Sequence, residues 1–272
     1  MSRKLIFPTL WIFLGLSAAR PASTLMADAS SANTKYLITL YRRLLFHNRL
    51  QHSRKLSLSY KPSRQSRASR PDIRLRLNCI GFLTSQYNTS LTFSFNFTVG
   101  GATTDSNIVP PWNFSVPSLI DQVKLFSNSI ASKPLSAPWD SCNTLAGNND
   151  LGGSYARSDL DTLLLRIMYS YFGQLQILYN TRIRYFILLA IPPMEKTPVV
   201  MERGSEAIAQ ETAAIEKYNN LLAAAASGAP NATCINWGGT ACLWRDAYHP
   251  GVAIQNLTAQ HVQSELDGWF ER

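Results

Sequence analysis

Residues 185–191 read Tyr-Phe-Ile-Leu-Leu-Ala-Ile and stop at Pro192-Pro193. A continuous apolar run of that length, closed by two prolines, offers no face to water. It is the pattern of a strand buried on both sides in a parallel sheet. The flanking pattern agrees. From Ser158 to Tyr179, Leu160, Leu163, Leu164, Ile167, Met168, Tyr171, Phe172 and Leu175 recur at helical spacing. Glu206 to Ala226 and Leu257 to Phe270 read as further helices. Earlier, Leu91 to Val99 alternates aromatic or apolar with small polar residues and reads as a strand entering Gly100-Gly101. Ser118 to Phe126 reads as an amphipathic helix with Leu119, Ile120, Val123 and Phe126 on one side. Ser118 caps it and Asp121 stands three residues on. Strands alternating with helices imply a three-layer α/β/α domain with a mainly parallel sheet. Its ligand site is expected at the carboxyl ends of the strands. A chain of 272 residues suits one such domain, placed at residues 32–272.

The net charge of +9 would ordinarily point to a polyanionic partner. Its distribution argues otherwise. Arg42 to Arg76 hold eleven Lys/Arg and one acid, Asp72, which leaves 15 basic and 16 acidic residues elsewhere. The basicity belongs to one Arg/Ser/Leu-rich segment, residues 42–77, where the strand and helix periods also vanish. Read alone, it is a basic disordered insert, or a surface for nucleic acid or membrane. The rest of the chain implies neither partner.

Residues 1–19 read as a secretory signal peptide: Arg3-Lys4, an apolar stretch from Leu5 to Leu16, then Ser17-Ala18-Ala19. The apolar stretch is about a dozen residues and contains Pro8, too short to span a bilayer as a helix. Sequons at Asn88, Asn96, Asn113, Asn231 and Asn256 fit a secreted, extracellular glycoprotein. In an oxidising compartment Cys234 and Cys242 are a disulfide candidate, while Cys79 and Cys142 either pair or stay reduced.

The chemistry concentrates in a few short motifs. Asp246-Ala247-Tyr248-His249-Pro250-Gly251 sets an acid and an imidazole three apart before the last helix. Such an Asp can orient a His that serves as general base and then general acid. By itself the motif reads more readily as a surface loop with a helix-capping Asp. Outside the basic segment the only other histidine is His261, on a polar stretch of the last helix. Gly147-Asn148-Asn149-Asp150 and Gly100-Gly101-Ala102-Thr103 each follow an apolar piece. A glycine N–H and an asparagine amide are suitable oxyanion donors, and both are also ordinary turn residues. No His/Cys/Asp cluster has metal-ligand spacing, so neither metal nor other cofactor is implied.

In this order the motifs resemble the SGNH (GDSL-type) hydrolases, and more narrowly the fungal secreted acetylesterases of carbohydrate esterase family sixteen. The likeness covers roughly residues 78–272 and is carried by several segments. They include N-C-I-G-F-L at 78–83, Y-N-T-S-L at 87–91, G-G-A-T-T-D at 100–105 and S-L-I-D-Q-V at 118–123. It continues through A-S-K-P-L-S-A-P-W at 131–139, Y-F-G-Q at 171–174, P-P-M-E-K-T-P at 192–198 and C-L-W-R-D-A-Y-H-P-G-V-A-I-Q at 242–255. The resemblance implies a flavodoxin-like fold and a Ser-His-Asp mechanism acting on small-molecule or oligosaccharide acetyl esters. The enzyme would be a monomer. His249 and Asp246 match the catalytic base and acid, Gly100 and Asn149 the oxyanion donors.

Two departures stand out. The family enters with a strand leading into Gly-Asp-Ser-Tyr, whose serine is the nucleophile. Here Lys35 to Thr39 match the strand, but no Gly-Asp-Ser exists in the chain. The family also has a longer apolar strand before Gly-x-Asn-Asp, whereas here Thr144-Leu145-Ala146 runs almost directly into Gly147. The first departure has an explanation in the genetic code. Back-translated and read one base on, Arg42 to His52 allow Gly-Asp-Ser-Tyr-Ser-Thr-Thr-Gly-Phe-Asn, and Lys61 to Arg67 allow Asn-Pro-Leu-Gly-Asn-Pro. The basic segment reads as a wrong-frame translation, from a gene-model error or a real frameshift. As it stands the chain is expected to be inactive. The alternative is a secreted carbohydrate-binding pseudoenzyme.

Overall fold

The computed structural model describes residues 34–40, 79–87, 91–131, 141–145, 147–181, 183, 185–227, 232–235 and 249–270. Five strands form one sheet: β1 (Thr34–Leu40), β2 (Leu91–Asn96), β3 (Ser141–Leu145), β4 (Tyr185–Leu189) and β5 (Ala232–Ile235). Their order is β2-β1-β3-β4-β5, and every adjacent pair is parallel. This is the doubly wound order whose switch point lies between β1 and β3.

The helices are α1 (Cys79–Ser85), α2 (Leu119–Phe126), α3 (Asn148–Gly152), α4 (Leu160–Asn180), α5 (Pro198–Met201), α6 (Ser205–Ser227) and α7 (Val252–Phe270). The side chains of β4 show why there are three layers. Phe186 and Leu188 join the larger core, with Phe126 of α2, Ile167 and Tyr171 of α4, and Tyr218 and Leu222 of α6. Ile187 and Leu189 join a smaller core on the other side, with Ile80, Phe82 and Leu83 of α1 and Ala259, Val262 and Leu266 of α7. The strand's apolar run is thus used on both faces. Ser118 and Asp121 form the full capping box of α2: the hydroxyl of Ser118 accepts from the Asp121 N–H, and the Asp121 carboxylate accepts from the Ser118 N–H at 2.8 Å.

The central strand reaches further back than its apolar letters do. The piece before Gly147 extends back through Cys142 to Ser141. It pairs with Leu37–Leu40 on one side and Tyr185–Leu189 on the other. Ser141 and Asn143 are polar, so an apolar-run criterion stops short of the strand's true start. α7 likewise begins at Val252, ahead of the Leu257 that the pattern marks.

Candidate active site

The chain leaves β2 through Gly100 and Gly101, leaves β3 through Gly147 into α3, and leaves β4 through Pro192-Pro193. These three exits share the carboxyl edge of the sheet. A cavity of about 400 Å³ opens there, lined by Gly101, Thr103 and Trp112 after β2, Asn148 and Asn149 of α3, Met194 after β4 and His249 ahead of α7.

The β2 and β3 exits are locked together. Asp150 is fully buried and accepts the Thr104 N–H at 3.0 Å and the Thr104 hydroxyl at 3.1 Å. The Asn149 amide nitrogen donates to the Ala102 carbonyl at 2.6 Å. An amide nitrogen carries two protons, so this bond orients the group and leaves the second N–H for another acceptor. On the opposite side, the Leu119 N–H of α2 donates to the Thr103 carbonyl at 3.0 Å. The Ile191 backbone beyond β4 is held by Asn219 of α6, whose carbonyl oxygen accepts from the Ile191 N–H at 2.8 Å. Its amide donates back to the Ile191 carbonyl at 2.9 Å.

Two glycines are required where they stand. Gly147 has φ +106°, and a Cβ there would meet the Tyr218 ring at 2.4 Å and Ile191 Cδ1 at 2.6 Å. Gly101 has φ +88°, and a Cβ there would meet Trp112 Nε1 at 2.1 Å. Trp112 therefore lies directly against the Gly101 backbone, and 71% of its surface is open to solvent.

Of the residues the sequence marks, Asn149 and His249 line the same cavity, His249 half-buried. Gly100 is exposed and is not among the lining residues; its neighbour Gly101 is. Asp246 and Cys242 lie outside the described residues, as do the signal-peptide residues and the basic segment. Cys234 falls on β5, Cys142 on β3, and Cys79 is a buried thiol on α1. His261 is exposed on α7. Sequence reasoning passed over Thr103 and Asn148. Both line the cavity and are buried, and among the described residues neither the Thr103 hydroxyl nor either polar atom of the Asn148 amide has a hydrogen-bond partner. Short turn motifs carry no burial signal that could have marked them.

Beside the cavity lies an acidic pair. Burial pushes the Glu211 carboxyl up to about 7; Arg203 opposes this and Glu195 adds to it. Burial also raises Glu195. Among the described residues, no group of three or more His, Cys, Asp or Glu could hold a metal ion, and no helix is long and apolar enough to cross a membrane.

Residues 57–262 match the family model of the GDSL-like lipase/acylhydrolases. An acetylesterase of Thermothelomyces thermophilus is 44% identical over 229 residues, covering 71% of this chain and 76% of that protein. Among solved structures, a carbohydrate acetylesterase from Sinorhizobium meliloti superposes with a TM-score of 0.54 at 13% identity. The match covers 86% of this chain and 99% of that one. An acetyl-xylooligosaccharide esterase from Geobacillus stearothermophilus gives 0.51 at 14% identity, over 85% and 93% of the two chains. At these identities the structural likenesses establish the fold.

Proposed function

Because the chain belongs to the GDSL-like lipase/acylhydrolase family, a family of ester hydrolases, we propose that its cavity is built to remove acetyl groups from carbohydrates by a Ser-His-Asp mechanism. The observation that carries this reading is the meeting of Asn149 and His249 in one cavity at the carboxyl edge of the sheet. The acetylesterase relative supports the acyl group. The narrower placement, with the fungal acetylesterases of carbohydrate esterase family sixteen, rests on the segment-by-segment resemblance.

The chemistry runs as follows. A serine following β1 attacks the acetyl carbonyl, and His249 takes its proton while Asp246 holds the imidazole in the right tautomer. The tetrahedral oxyanion is held by the free N–H of the Asn149 amide and a backbone N–H of the Gly100-Gly101 pair. Collapse expels the sugar hydroxyl, protonated by His249. Water, deprotonated by the same group, then releases acetate.

The serine is the part this chain lacks. β1 ends at Leu40, beside the switch point between β1 and β3, where such sheets place their chemistry. Gly-Asp-Ser-Tyr in the shifted frame begins at codon 42, just past that strand. The reading therefore includes a frame error over residues 42–77. The working protein is a secreted, glycosylated monomer with one domain over residues 32–272, removed from nucleic acid and membrane.

The chain as it stands is expected to give no esterase activity above background on 4-nitrophenyl acetate. Restoring the shifted-frame segment should produce turnover and release acetate from acetylated oligosaccharides. Genomic sequence lacking Gly-Asp-Ser codons after codon 39 would overturn the frame error. The favoured reading would then be a carbohydrate-binding pseudoenzyme, which the absence of any Gly-Asp-Ser already supports.

A further inference from the structure

We propose that Asn113 carries an N-linked glycan, and that this glycan covers the exposed apolar rim of the cavity. The inference rests on the reading of the chain as secreted. It adds which asparagine holds the sugar and what the sugar does there. Of the sequons in the sequence, those at Asn96, Asn113 and Asn256 lie among the described residues. The fold treats the three differently.

At Asn96 the middle residue of the triplet, Phe97, is buried in the larger core. At Asn256 the triplet lies within α7. Thr258 is buried, its hydroxyl donates to the Ile254 carbonyl at 2.8 Å, and the Asn256 Oδ1 accepts from the Tyr87 hydroxyl. At Asn113 no residue of the triplet is buried. It lies on the turn ahead of α2, with Phe114 99% exposed and Ser115 exposed. The Asn113 Oδ1 accepts from the Ser115 N–H at 2.9 Å and from the Ser115 hydroxyl at 2.8 Å. Those bonds engage the oxygen alone. The Nδ2 donates to no described residue and is not buried.

That nitrogen is the atom a glycan needs. It forms a bond to the anomeric carbon of an oligosaccharide, while the bond from that carbon to the diphosphate of a lipid-linked donor breaks. The lipid diphosphate leaves, and the amide gives up one proton. The neighbours supply the reason for a sugar at this place. Pro110, Trp112 and Phe114 are exposed, and Pro110 and Trp112 line the cavity. Exposed apolar groups gathered on one loop invite self-association. The C–H face of a sugar is weakly positive and suits the negative face of an aromatic ring. A glycan rooted between Trp112 and Phe114 lies within reach of both rings, and its hydrated bulk keeps other protein surfaces away.

The test uses the full chain in a secreting yeast, once behind its own residues 1–19 and once behind a yeast leader in their place. Protein from medium and cells is treated with peptide N-glycanase in oxygen-18 water, and the labelled asparagines are mapped by mass spectrometry. Asn113 should be labelled in most molecules and Asn256 in few. Asn113→Gln and Ser115→Ala each abolish the sequon. Each should raise the fluorescence of 1-anilinonaphthalene-8-sulfonate at least twofold and promote self-association in sedimentation velocity. Asn113→Gln combined with Phe114→Ala should return the dye signal toward that of the glycosylated chain, which a merely structural role for Asn113 would not do. If a variant fails to accumulate, stripping the glycan from the folded chain with the same glycanase gives the same comparison. An unlabelled Asn113, or Asn256 labelled above it, overturns the site. Unchanged dye binding and sedimentation without the glycan overturns the covering role. The two readings fail separately. No secretion behind residues 1–19, with Asn113 labelled behind the yeast leader, sinks the signal peptide and keeps the glycan. Secretion behind residues 1–19 with Asn113 unlabelled does the reverse.

Discussion

The cavity has two unlike walls. The wall made by the exits of β2 and β3 is pinned by buried polar bonds: Asp150 to Thr104, Asn149 to Ala102 and Leu119 to Thr103. The wall that carries His249 leads into α7, which is held by the smaller core it shares with α1 and by polar bonds to the start of α1 and the turn after it: the Cys79 N–H donates to Gln255 at 3.2 Å, the Tyr87 hydroxyl to Asn256 at 2.5 Å and the Gln260 amide to the Tyr87 hydroxyl at 2.9 Å. The contrast fits the work asked of each side. Groups that stabilise a developing charge must already point the right way, or reorganisation consumes the gain.

The largest effect should come from the wall that carries His249. In the restored enzyme, His249→Ala should lower kcat by several orders of magnitude, because one group serves as base and then acid. Asn149→Ala should lower it by about 10²–10³, the usual loss of one oxyanion donor. Steady-state rates on 4-nitrophenyl acetate decide the ranking; the reverse order would mean that the two walls have been assigned the wrong roles. Next come the pins. Gly147→Ala combines a left-handed φ with a collision against Tyr218, so a loss of more than ~3 kcal/mol, or failure to fold, is expected in urea denaturation. Asp150→Ala should cost about 2–4 kcal/mol in the same assay, because it strands the buried Thr104 N–H. A loss no greater than that of a surface substitution would remove the claim that the first wall is rigid.

Glu211 gives a smaller, pH-dependent effect. Its carboxyl sits higher in the fold, at about 7, than its ordinary 4.5. The stability it contributes is complete below about pH 4.5 and is lost as pH rises through 7. Glu211→Gln should therefore leave the unfolding free energy nearly unchanged at pH 4 and raise it by ~1–3 kcal/mol at pH 8. Equal effects at both values would show that the charge is not the cause. Smallest of all, His261→Ala on exposed α7 should alter stability by less than about 0.5 kcal/mol and kcat hardly at all.

The layered fold was legible because its signals are large. Tyr185–Leu189 announces a two-sided strand, and the apolar face of α4 recurs over 21 residues. Ser118 and Asp121 mark the start of α2 within four letters. β3 was only half legible, since Ser141 and Asn143 take their place through backbone pairing with both neighbours rather than through apolar side chains. The site divides the same way. Asn149 and His249, marked by their motifs and order, line one cavity. The choice between Gly100 and Gly101 depends on a positive φ at the second, which two adjacent glycines do not reveal. Asn148 and Thr103 become visible only when burial and missing partners are known together.

The register of β1 against β2, from Thr34 with Leu91 to Thr39 with Asn96, closes a ring whose free length is residues 41–90. The entropy of closing such a ring grows only with the logarithm of its length, so even doubling it adds about 0.6 kcal/mol. The cost of closing that ring is therefore nearly indifferent to the length of the stretch between the strands, although α1 within it supplies Ile80, Phe82 and Leu83 to the smaller core. A slip of the reading frame that begins after β1 and ends before α1 can abolish turnover while leaving the architecture standing. A lesion there can pass the quality control that unfolded chains fail.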